Sequence, residues 1–79
     1  MSRDYYSEAE EIARSLDAEG LQADARTLRD AIRNGSTGSE IFMALRWNLQ
    51  QIDKRGSAMN LGTRAKIREL ARALGDALR

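Results

Sequence analysis

Asp4, Glu8, Glu11, Ser15 and Glu19 recur at steps of three and four residues, so on a helix they form one row, acidic at every position but Ser15. Carboxylates spaced this way can divide general acid and base roles, hold a hard cation, or present negative charge to a basic partner. The first use needs a pocket that drives two pKa values apart, and an exposed helical row does not build one. The chain has no histidine and no cysteine, so the commonest general base, the thiol nucleophile and the nitrogen and sulfur metal ligands are all missing. A hard-metal site needs oxygens converging from a loop, which the row does not supply. The sequence therefore predicts a protein that is not an enzyme and uses no cofactor or metal.

The third use remains. Such a row spreads negative charge along about 20 Å of helix, enough to cover a cationic cleft. Tyr5 and Tyr6 adjoin it, and tyrosine is a favoured interface anchor. The candidate partner-binding set is thus Tyr5, Tyr6, Glu8, Glu11, Ser15 and Glu19; the competing reading is a solubilising face. Residues 1–20 hold two basic and six acidic side chains, whereas residues 56–79 hold five basic and two acidic, so a net charge of +1 conceals an electrically two-ended chain. Eleven of the thirteen basic residues are arginine, which favours forked contacts with carboxylate or phosphate.

Arg64, Arg68 and Arg72 form a basic stripe, the alternative candidate site, for phosphates of a nucleic acid. The second and third helices also have the lengths of a helix-turn-helix. A reading helix needs polar side chains aimed at base edges, however, and the third helix offers Met43 and Trp47, with Arg46 its one cation before its end. A charge of +1 is also small for a binder driven by counterion release. A nucleic-acid-binding regulator is therefore the second reading.

Four helices must position these side chains. Tyr5, Ala9, Ile12, Ala13 and Leu16 give the first an apolar face over Asp4 to Glu19. Ser2, Asp4, or Ser7 with Glu10 can cap its start, and Gly20 stops it. The second spans Leu21 to Arg33, with Leu21, Ala25, Leu28 and Ile32 inward and Arg26, Arg29 and Arg33 outward. Asn34 and Gly35 end it, both tolerant of a left-handed backbone. Thr37 and Glu40 make a capping box for a third helix from Gly38 to Lys54, closed by Gly56. Ile41, Leu45, Asn48, Leu49 and Ile52 share one side of it, with Phe42 at the edge, and Met43 and Trp47 form a second apolar strip. The other helices show single stripes, so the third is expected to be a central pillar with Met43 and Trp47 covered. Were they exposed, they would mark a partner groove or a dimer face. Met59 is expected inward, and a fourth helix begins near Asn60 or Leu61. Its buried stripe is Ile67, Leu70, Ala71, Leu74, Ala77 and Leu78, and Gly75 within it predicts close packing or fraying.

Valine is absent and no run alternates as a strand would. The expected fold is all-α, a compact bundle of four short helices in one domain, residues 1–79. With no proline or cysteine there is no disulfide or thiolate site to help the core. The longest apolar run, Ile41 to Leu45, is far too short to span a bilayer, so no membrane association is expected. The first residues lack the apolar stretch of a secretory signal, which makes the cytoplasm the expected location.

The segments GSTGSEIFMALRWNLQQI (Gly35 to Ile52) and EIARSLDAEGLQADARTLRDAI (Glu11 to Ile32) resemble small helical immunity proteins encoded beside bacterial polymorphic toxins, including those of contact-dependent inhibition. The resemblance runs from about Asp4 to Ile52 and then through a less distinctive last helix. It implies a cytoplasmic protein that neutralises one cognate toxin domain, often a nuclease, by stoichiometric binding, as a monomer or a 1:1 complex. It assigns no binding residues. The +1 charge departs from the acidic balance of many nuclease-specific immunity proteins, which leaves both an active-site mask and an exosite contact open.

Overall fold

Asp4 begins the first helix. Its carboxylate accepts the Ser7 backbone N–H at 3.1 Å and the Ser7 hydroxyl at 2.7 Å, so Asp4 takes the cap and the Ser7–Glu10 box is not used. In this computed structural model residues 3–55 and 59–79 are described; Ser2 as a cap and Gly56 as a stop lie outside them. The helices are α1 (Tyr5–Ala18), α2 (Gln22–Asn34), α3 (Gly38–Arg55) and α4 (Leu61–Ala77). No strand is present among the described residues, so the all-α four-helix bundle read from the sequence is the fold.

Gly20, at φ +81°, turns the chain from α1 into α2. The Leu21 N–H donates to the Leu16 carbonyl at 2.8 Å and the Gly20 N–H to the Asp17 carbonyl at 3.1 Å, pairing two carbonyls the helix end would otherwise orphan. The next corner works differently from expectation. Asn34 is still helical, and Gly35 is extended at φ −74°, ψ 140°. Gly35 is needed for space: a Cβ there would overlap Ile41 Cγ1. Half of the capping box forms as expected, with the Glu40 N–H donating to Thr37 Oγ1 at 3.2 Å, while the Glu40 carboxylate reaches one residue further back to accept the Ser36 N–H at 3.3 Å.

Each helix packs on two neighbours, in the cyclic order α1, α2, α3, α4 and back to α1. The core comes from all four, with Leu16, Leu28, Leu45, Leu49, Ile52, Ile67, Leu70 and Leu74 its largest buried side chains. Half-buried Met59 packs inward against it. The stripe of α4 stops short of prediction, with Ala77, the last helical residue, exposed and Leu78, its C-cap, half-buried. Gly75 marks close packing: the Arg46 Nε lies 3.0 Å from where its Cβ would be.

The ring overturns the central-pillar expectation. α3 is one of four members of the ring, covered by α2 and α4 on its flanks, met at Phe42 by the α1 tyrosines, and open behind. Met43 and Trp47 sit on that open back, 53% and 60% exposed. Periodicity placed them correctly on a common side; among the described residues no fifth element covers that side.

Candidate protein-binding surface

The fold divides the acidic row of α1 into members it uses and members it leaves free. Glu8 is clasped by Arg3 at 2.6 and 2.8 Å, and Arg3 also reaches Glu69 on α4 at 3.4 Å. Glu19 accepts the Asn60 N–H and the Thr63 hydroxyl, both at 2.6 Å, and so ties the end of α1 to the start of α4. Both carboxyls are held below their ordinary pKa, Glu8 by the Arg3 hydrogen bond and Glu19 by the Asn60 N–H. Asp4 is lowered likewise by its bonds from Ser7. Ser15, half-buried, lies between Glu8 and Glu19 along the α1–α4 seam. Glu11 is the member left exposed, with no ion-pair partner among the described residues.

The two tyrosines separate. Tyr5 is half-buried, with its ring edge-on to Phe42 of α3 at 4.8 Å and Arg3 above it at 5.6 Å. Its packing is that of a core margin. Tyr6 also meets Phe42, at 5.9 Å, and stays 40% exposed at the tip of the bundle. At about 100° per residue, Tyr6 and Glu8 lie on opposite flanks of α1, so the predicted set does not converge into one patch.

The sequence offers Glu10 only a place in a capping box and Asp17 no role, and the structure gives them a joint task. Arg29 of α2 donates to Asp17 at 2.8 Å and to Glu10 at 3.1 Å, clamping the α1–α2 pair. Their spacing of seven residues was the available signal, since it puts both on the flank facing the neighbouring helix. Even with these pairs, α1 and its two caps, Asp4 and Glu19, carry six carboxylates, while the guanidiniums on it or bonded to it are Arg3, Arg14 and Arg29. Counted with the arginines on it or bonded to it, α1 therefore has three more carboxylates than guanidiniums, most of them on its flanks towards α2 and α4.

The basic stripe of α4 is much less free than its spacing suggested. Asp53 of α3 receives Arg68 at 3.0 Å and stands 3.6 Å from Arg64, which is itself half-buried. Arg72 donates to Glu69 at 2.7 Å and to Asp76 at 3.3 Å. Each stripe guanidinium has a carboxylate beside it, so a phosphate would have to displace one.

The depressions between helices are shallow and open. One of about 420 Å³ lies between α2 and α3, beside Thr27, Asn34 and Asn48. Another, of about 260 Å³ between α3 and α4, has Leu49, Ile67 and Ala71 in its floor and Arg46, Arg68 and Arg72 on its rim. Among the described residues no three His, Cys, Asp or Glu side chains gather as a metal site, and no helix is long and apolar enough to cross a membrane. What the molecule presents is its helix faces: the outer side of α1 with exposed Glu11 and, diagonally across the ring, the back of α3 with Met43 and Trp47. No family model, curated protein or solved structure matches this chain.

Proposed function

We propose that this protein is an immunity protein: a non-catalytic inhibitor that binds a cognate toxin domain, a nuclease, in the bacterial cytoplasm and blocks it by occupying its surface. The observation that carries the reading is the net negative charge of α1, with Glu11 exposed and in no ion pair among the described residues. A nuclease surface is cationic because it must hold phosphates. A rigid helix bearing more carboxylates than its own arginines neutralise is complementary to it and speeds encounter. Glu11 is the carboxylate available without breaking an internal pair. Arg3 and Glu8, exposed and mutually bonded, can exchange partners at the rim with little net cost. The resemblance of residues 11–52 to immunity proteins supports the same conclusion.

The test is co-expression with the product of the adjoining toxin gene. Growth should be rescued and the two chains should elute as one complex on size exclusion. Glu11→Lys should slow association and make rescue partial, with the fold unchanged by circular dichroism. Failure of both rescue and co-elution would remove the reading.

A further inference from the structure

We propose that the open back of α3 is a contact between two copies of this chain, paired antiparallel about a two-fold axis. Glu40, Trp47 and Lys54 are spaced by seven residues, close to two helical turns, so they lie in one line along that back, with Met43 one turn before Trp47. All four are exposed. The line reads acid, aromatic, base, with the two charges equally far from Trp47. A two-fold axis brings residue i of one copy to residue j of the other and j to i. An antiparallel pair centred at Trp47 therefore sets each Glu40 against the partner's Lys54 and packs the Met43 and Trp47 side chains between the two ion pairs. A parallel pair would set acid on acid and base on base. The charge pattern is thus complementary to itself in one orientation only.

The charges needed are at hand. Lys54 has no carboxylate partner among the described residues, whereas the neighbouring Arg55 is held by Asp24 of α2. Glu40 gives its carboxylate to the Ser36 N–H at 3.3 Å and has lone pairs to spare. A single helix face is about 27 Å long and about 10 Å wide, less than the roughly 800 Å² per partner of a standard interface. The dimer is accordingly weak and depends on concentration. Because α1 lies diagonally opposite α3, the dimer keeps both α1 surfaces outward, and it stands or falls separately from the inhibitor reading.

The experiment is sedimentation equilibrium of the isolated protein from about 10 µM to about 1 mM, the range of a small interface. Emission of the sole tryptophan is followed in parallel. The mass should rise towards that of two chains while Trp47 emission shifts to the blue. Trp47→Ala should abolish the rise. Lys54→Glu should weaken association roughly tenfold, since two ion pairs become two like-charge contacts. Glu40→Lys with Lys54→Glu should restore it to within about threefold. Circular dichroism checks the helical content of each variant, because Glu40 also serves the capping box. A mass that stays that of one chain through the whole range would overturn the proposal. So would a dimer indifferent to Trp47→Ala and Lys54→Glu, or a folded double variant that fails to re-associate.

Discussion

The Glu19 carboxylate, at the end of α1, accepts the hydroxyl of buried Thr63, in the first turn of α4, at 2.6 Å. Its other oxygen takes the Asn60 N–H, while the Asn60 side chain caps the same helix by accepting the Gly62 N–H at 2.8 Å. The start of α4 is therefore satisfied partly by itself and partly by a residue 41 positions earlier. Glu19 thus closes the ring at one end of the first and last helices, and Arg3, between Glu8 and Glu69, joins them elsewhere.

Removing Glu19 should then do more than remove a surface charge. Glu19→Ala leaves the Thr63 hydroxyl buried without its acceptor and should cost about 1–2 kcal/mol, the lower part of the range for charged hydrogen bonds because the carboxylate is partly solvated. Thr63→Val removes the donor instead. In urea denaturation the two changes together should cost less than the sum of the separate changes, by about 1 kcal/mol. Strict additivity would mean the two groups do not act as a pair.

Acid should weaken the fold through the same groups. Asp4, Glu8, Glu19 and Glu69 are held below the ordinary carboxylate range, by Ser7, Arg3, the Asn60 N–H and Arg72 respectively. A carboxyl with a depressed folded pKa contributes stability above its unfolded value and loses it as the pH falls through its folded value. Tm should accordingly begin to fall below about pH 4.5. With no histidine to titrate, it should change little between about pH 6 and pH 8. Glu19→Ala should flatten the acid limb; an unchanged limb would exclude Glu19 from it.

Three glycines give a sharper test, because an added Cβ would meet a different situation at each. Gly20→Ala has open space but a positive φ and should destabilise by about 1–2 kcal/mol. Gly35→Ala has an ordinary φ, yet its Cβ meets Ile41 and should cost about 1–3 kcal/mol through overpacking. Gly75→Ala is helical and meets only the movable end of Arg46, so the gain in helix propensity should prevail, by about 0.5–1 kcal/mol. Urea midpoints for the three variants check both the signs and the order.

Gly35 also shows where sequence reading stops. Its type and its place between two apolar runs announce a turn, and the turn is there. Whether it serves φ or clearance depends on how closely Ile41 approaches, which no local pattern encodes. The helix boundaries were legible because caps are local: Asp4, Thr37 with Glu40, and Gly20 act within a few residues of the ends they set. The acidic row was legible as a row, but not its division, since Glu19 is engaged by Thr63 and Glu8 by Arg3 through the tertiary fold. Arg29 bridging Glu10 and Asp17 was hidden for the same reason. Trp47 is the plainest case. Periodicity sorts residues onto faces, and how many neighbours a helix has decides which faces are covered.

That distinction separates two substitutions on one helix. Leu49 is fully buried between α3 and its neighbours, so Leu49→Ala opens a cavity in the shared core and should cost about 2–5 kcal/mol. Trp47, two positions earlier, points behind α3 and is more exposed than buried. Trp47→Ala removes a larger side chain, yet alanine is the better helix former, so at low concentration stability should change by less than about 1 kcal/mol. Urea unfolding followed by circular dichroism at a few micromolar, where the weak self-contact is dissociated, compares the two directly. At about 1 mM the Trp47→Ala variant should fall behind the parent, because only the parent then gains stability by mass action. A loss of several kcal/mol at low concentration would instead place Trp47 in the core and return α3 to the centre of the bundle.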